Sequence, residues 1–276
     1  MRASAAWFAY AFCALCLVGA AACSAGPAQG PGGPPTGASS TAAPSTVSPG
    51  LAAALREVRS SSALGDSVPY GSACECTPYP GLLGDDLARF AGHPVEVAND
   101  AVAGYTSGDV LGQVEHDAAA AGRIQNSQAL TLEVGANDVA YSSACATDVA
   151  CYEQRIPQLA SNLRVVVARV RQLTEGRSVA VVLLDYWSVW LGGTYAAAQG
   201  QAYVAAASAV TASVNDTIRA TARETGSLYV DLRTAFRGPD DAWDETHLLA
   251  ADGDHPNAAG HRRIADAVAH AVVASQ

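Results

Sequence analysis

Ser61-Ser62-Ala63-Leu64, running into Gly65-Asp66-Ser67, is the stretch whose reading decides the fold. The first four residues are uncharged, short and apolar enough for a strand buried on both faces, and Gly-Asp-Ser supplies turn and helix-capping residues behind it. Four similar runs follow, at Val95–Ala98, Leu130–Val134, Val179–Leu184 and Leu228–Asp231. Between them apolar residues recur at helical spacing. Ile156, Leu159, Leu163, Val166, Val170 and Leu173 form one such stripe; Ala206, Val210, Val214 and Ile218 a second; and Ile264, Val268, Ala271 and Val272 a third. Five strands joined by helical crossovers predict an α/β protein with a parallel sheet covered on both faces, and right-handed crossovers leave few topologies. In such sheets chemistry gathers at the carboxyl ends of the strands.

The composition agrees with a globular chain. Of 276 residues, 50% are hydrophobic and 15% charged, with 26 acidic against 16 basic residues and a net charge of −10. That balance argues against a nucleic-acid partner, which needs a basic surface. Collagen, coiled coil and wholesale disorder are excluded for the bulk of the sequence by the absence of their repeats and charge bias.

The N-terminal 50 residues read differently. Ala5 to Cys23 is a small or apolar run behind Arg2, as in an export leader or a membrane anchor. Its end, Leu17-Val18-Gly19-Ala20-Ala21-Ala22-Cys23, resembles the lipobox of bacterial lipoproteins, in which Cys23 would be lipidated. Ala20 stands where that box usually carries Leu, and Ala20-x-Ala22 equally suits ordinary signal peptidase cleavage. Residues 1–23 are therefore read as a signal peptide ending in a lipobox-like Cys. Residues 24–50, rich in Ser, Pro, Gly, Ala and Thr with no charge, are read as a disordered linker. Residues 51–276 are read as the folded domain. Export predicts lipid anchoring on the outer face of the membrane or secretion, with membrane contact only through Cys23 or an uncleaved leader, and a monomer.

The strand ends yield a short set of polar residues. Gly65-Asp66-Ser67 follows the first strand, Asn99 to Gly104 the second, and Gly135-Ala136-Asn137-Asp138 the third, while Asp252-Gly253-Asp254-His255-Pro256 precedes the last helix. Each cluster alone is ordinary turn or capping chemistry. Together they supply the parts of an acyl-transfer site: a hydroxyl nucleophile, a base, a group to orient the base, and donors for an oxyanion. Ser67 is the nucleophile, His255 the base and Asp252 the orienting acid. The oxyanion donors are the backbone N–H groups of Ser67 and Gly104 and the side-chain amide of Asn137.

These four segments resemble, in order and spacing, the four blocks of the SGNH hydrolases, also called GDSL esterases and lipases; Ser67, Gly104, Asn137 and His255 match the letters of that name. The resemblance runs from about Ser60 to the C-terminus. It implies a flavodoxin-like three-layer α/β/α fold with a five-stranded parallel sheet, ester hydrolysis with no cofactor and no metal, and an exported bacterial member of the family. Val68 stands where the family often has Leu, a position without a catalytic role. The G-x-S-x-G elbow of the other common serine-esterase fold is absent.

Asp254 competes with Asp252 for the orienting role, but an Asp three residues ahead of His turns back onto Nδ1, whereas its immediate neighbour points away. His93, His116, His247, His261 and His270 are read as surface or structural. The four cysteines outside the leader and Cys23 suit an oxidising compartment, paired as Cys145–Cys151 and Cys74–Cys76 or cross-linked between the two loops. Trp187, Trp190 and Trp243 are substrate-rim candidates. No long apolar lid separates the blocks, which favours short acyl or acetyl esters of a small molecule or cell-envelope sugar. An acyltransferase, or a non-catalytic cell-envelope binding lipoprotein on the same fold, is the alternative.

Overall fold

A computed structural model of the chain describes residues 57–274, apart from 176 and 178. The leader, Cys23, the linker and the first residues assigned to the domain lie outside the described part. Strands β1 (Ser60–Gly65), β2 (Glu96–Asn99), β3 (Ala129–Glu133), β4 (Ala180–Leu184) and β5 (Leu228–Val230) form one sheet in the order β2-β1-β3-β4-β5. Every pair is parallel, with Ser62 opposite Ala98 on one side and Leu130 on the other. Each expected strand is present to within two residues at either end.

The helices are α1 (Ser67–Tyr70), α2 (Tyr79–Ala91), α3 (Ser107–His116), α4 (Ala118–Asn126), α5 (Val149–Glu153), α6 (Ile156–Leu173), α7 (Gly193–Ala198), α8 (Gln201–Thr225), α9 (Leu232–Arg237) and α10 (Ala258–Ala274). On one face α2 packs against α10; on the other, α6 packs against α3, α4 and α8. This is the three-layer α/β/α arrangement. The stripe residues of α6 from Leu159 to Leu173, those of α8, and Ile264, Val268 and Val272 of α10 are buried, which is why amphipathic spacing alone located these helices. Among the described residues no helix is long and apolar enough to cross a membrane.

The strand order fixes where a site forms. The chain leaves β1 towards β2 on one side and then crosses to β3 on the other, so a crevice opens at the carboxyl ends of β1 and β3. Gly65 closes the end of β1 with φ +146°, and a Cβ there would run into the Glu133 carbonyl oxygen at the end of β3. Only glycine lets the two strand ends approach this closely.

Candidate active site

Ser67 is the first residue of α1, so its N–H has no acceptor within the helix. The preceding residue, Asp66, is fully buried and caps α1: its carboxylate accepts from Val68 N (3.1 Å) and from the Tyr186 hydroxyl (2.6 Å), while its own N–H donates to Glu133 O. These bonds set the direction in which Ser67 leaves the sheet.

On the far side of the crevice, the loop after β2 is tied to the loop after β3. Asn137 Nδ2 donates to Tyr105 O at 2.9 Å, and its second hydrogen has no acceptor among the described residues. The Asp138 carboxylate accepts from both Ser107 N, at 2.8 Å, and the Ser107 hydroxyl. Gly104 sits at the exposed turn of this loop with φ +85°. Its N–H and that of Ser67 make no hydrogen bond among the described residues.

His255 lies on the loop before α10. Its Nδ1 is 2.7 Å from Asp252 Oδ2, while Asp252 Oδ1 accepts from the N–H groups of Asp254 and His255, each at 3.1 Å. Burial disfavours ionisation of Asp252, but the bonds from His255 and the two backbone N–H groups outweigh it and hold the carboxyl below the usual carboxylate range. With Asp252 accepting at Nδ1, the other ring nitrogen, Nε2, is left to accept a proton. Ser67, Asn137 and His255 line one cleft of about 290 Å³. No hydrogen bond joins Ser67 Oγ to His255 among the described residues, a contact that commonly tightens only when substrate binds.

The cleft wall is aromatic. Trp190 is buried, donates from Nε1 to Val139 O at 2.8 Å, and meets Tyr141 edge-on at 5.1 Å and Tyr203 at 5.5 Å between ring centres. Trp187, also buried, stacks on Phe236 at 4.3 Å and shows part of its surface to the cleft. Trp243 is elsewhere. Its indole lies against Gly238 and lines a neighbouring cavity of about 310 Å³ with Arg233, Arg237 and Glu245. It does not line the Ser67 cleft itself, which shares Trp187, Ser188 and Leu191 with that cavity. Asp254 also departs from expectation, since it lines the cleft instead of pointing away. Tyr141, Tyr186 and Tyr203 belong to the wall too, and sequence reasoning did not single them out.

Cys74 is joined to Cys76 and Cys145 to Cys151, with Cα atoms 5.1 and 5.7 Å apart. The second bridge closes the short loop 145–151, which follows Tyr141 on the way out of the β3 end. Among the described residues, one trio stands at metal-ligand spacing, Cys74, Cys76 and His261, and its two sulfurs are bonded to each other. His261 is buried beneath the first loop, where its Nδ1 accepts from Tyr79 N at 3.2 Å. Burial, and then the nearby His255, push it down to about 4, so it is neutral. His116, His247 and His270 are exposed.

At the carboxyl ends of β1, β3 and β4 lies a set of buried acids, Asp66, Glu133 and Asp185. Burial pushes Asp66 and Asp185 up to about 7, against the bonds they accept from Tyr186 and Tyr229, and lifts Glu133 well above the carboxylate range. A carboxyl raised in this way holds its proton more tightly in the folded chain. It contributes stability at low pH that is lost as pH rises from the unfolded value to the folded one. His261 works in the opposite sense, with a contribution present above its unfolded value of about 6.5 and lost as pH falls through about 4. The melting temperature is therefore expected to fall between about pH 5 and about pH 8, and Asp66→Asn should reduce that fall by on the order of 5 °C. Thermal melts of both proteins across this range check it; parallel curves would contradict the assignment of Asp66.

Comparison with known proteins gives a consistent family and fold. The model of the GDSL-like Lipase/Acylhydrolase family matches residues 63–263. A catalytic mutant of an acetylxylan esterase from Geobacillus stearothermophilus is similar in structure with a TM-score of 0.56 and 19% identity, covering 78% of this chain and 94% of its own. A lipase from a goat rumen metagenome aligns with a TM-score of 0.59 and 14% identity over 78% of this chain and 98% of its own. An alpha/beta hydrolase enzyme from the metagenome of Lake Arreo, Spain, aligns with a TM-score of 0.56 and 21% identity over 80% and 99%. A search of curated proteins returned no match.

Proposed function

The chain belongs to the GDSL-like lipase/acylhydrolase family and is a carboxylic ester hydrolase, and from that premise we propose that Ser67, His255 and Asp252 are its catalytic triad, acting on short-chain acyl or acetyl esters. His255 Nε2 takes the Ser67 proton as Oγ attacks the ester carbonyl, and Asp252 stabilises the imidazolium that forms. Charge developing on the carbonyl oxygen is met by the N–H groups of Ser67 and Gly104 and the free Asn137 amide hydrogen. The same proton then goes to the leaving alcohol. Water, deprotonated by His255, releases the acid from the acyl-enzyme and regenerates Ser67.

The observation that carries this reading is the 2.7 Å contact of Asp252 with Nδ1 of His255, a residue that lines one cleft with Ser67 and Asn137. The short acyl preference is supported by the aromatic wall of Tyr141, Trp190 and Tyr203, which bounds a cleft of modest size. Aryl esters of graded acyl length test it. Turnover should be greatest for acetyl to butyryl esters and drop for long chains; a preference for long chains would overturn the substrate part, and no turnover of any ester would overturn the whole.

The domain is further proposed to work outside the cell, attached through a lipidated Cys23 or released after leader cleavage. The apolar leader sequence and the two disulfide pairs of the domain support this placement. In a bacterial host that lipidates exported proteins, the full chain should fractionate with membranes and Cys23→Ser should release or misprocess it. Unchanged retention of that variant with its leader intact would instead mark a plain helical anchor.

A further inference from the structure

We propose that Asp254 makes the cleft selective for esters that carry a cationic group over esters that carry a carboxylate. This rests on the cleft being the site of ester hydrolysis, and concerns which esters enter it. Among the described residues lining the cleft, Asp254 is the one acid, and neither Arg nor Lys is present. All 16 basic residues of the chain are Arg, and its net charge is −10, so no mobile lysine is available to neutralise the site.

The two carboxylates of the loop have different work. Asp252 is occupied by His255 and two backbone N–H groups. The Asp254 carboxylate accepts no hydrogen bond from any described residue, although its own N–H donates to Asp252. Its charged and titratable neighbours are His255, Asp252, Asp66 and Tyr203. Of these only His255 can carry positive charge, and that ring is bonded to Asp252. Burial raises the Asp254 carboxyl to about 6, which leaves it ionised in mildly alkaline solution. A half-buried anion without a protein donor is a place for a substrate's ammonium group. Tyr141, 46% exposed beside Trp190 and Tyr203, adds a ring on the same cleft towards which a cation is attracted.

The test uses three acetate esters of similar shape at about pH 8: acetylcholine, its neutral carbon isostere dimethylbutyl acetate, and acetoxybutyrate. For the native enzyme, kcat/KM should favour the cationic over the anionic ester by on the order of a hundredfold, with the neutral ester between them. Added salt should shrink the ratio. In Asp254→Asn the ratio should collapse to within a few-fold. Because every ester uses the same Ser67 and His255, a change in the base caused by the substitution divides out of the ratio. A native ratio near one, or a ratio that survives in Asp254→Asn, would overturn the proposal while leaving ester hydrolysis in place. No turnover of even the neutral ester would remove the hydrolytic assignment of the cleft and this inference with it.

Discussion

Replacing His255 by Ala is expected to lower kcat for an aryl acetate by on the order of 10⁴-fold, with KM changed little. Without the imidazole, Ser67 keeps its proton at the moment of attack and no group hands one to the leaving alcohol. The remaining loop offers no substitute, because Asp252 is tied to backbone N–H groups and does not line the cleft that holds Ser67. Added imidazole should restore part of the rate if the cavity left behind admits it. A rate within tenfold of the native enzyme would show that His255 is not the base.

Asn137→Ala is expected to cost on the order of a hundredfold or more in kcat, again with KM little changed. The amide makes two separable contributions: one hydrogen holds Tyr105 O and so the Gly104 loop, and the other is free to meet the oxyanion. A melting temperature close to that of the native protein would show that the kcat loss comes from the missing donor. A change confined to KM would mark Asn137 as a substrate contact instead.

The strands and long helices were legible because burial leaves a direct mark on sequence. Leu130 to Val134 are apolar but for Thr131 and Glu133, and the α6 stripe repeats at helical spacing because one face of that helix is buried. The clusters at the strand ends were legible for a related reason, since polar turn residues directly behind buried strands are brought together by any parallel sheet.

What stayed hidden depends on directions that spacing does not encode. Trp243 is near the catalytic loop in sequence, yet the bare backbone of Gly238 gives its indole a shelf on the other side of Trp187. Asp254 follows Gly253, whose φ of +74° turns the chain so that neighbouring side chains no longer simply face opposite ways, and both His255 and Asp254 reach the cleft. Tyr203 sits on α8 just ahead of the stripe that begins at Ala206, and Tyr141 lies on the irregular segment between β3 and the Cys145–Cys151 bridge, where no periodicity marks it. The buried acids were equally hidden. Glu133 reads as the polar end of a strand, and only packing places it under Tyr79 with its carboxylate out of reach of water.

The most direct test of the central claim is covalent trapping of the nucleophile. After the active domain is treated with a fluorophosphonate and digested, peptide mass mapping should find one phosphonyl group, on Ser67, with ester hydrolysis lost in proportion to labelling. Hydrolysis that persists with no adduct at Ser67, or inactivation that tracks an adduct on another residue, would contradict the account.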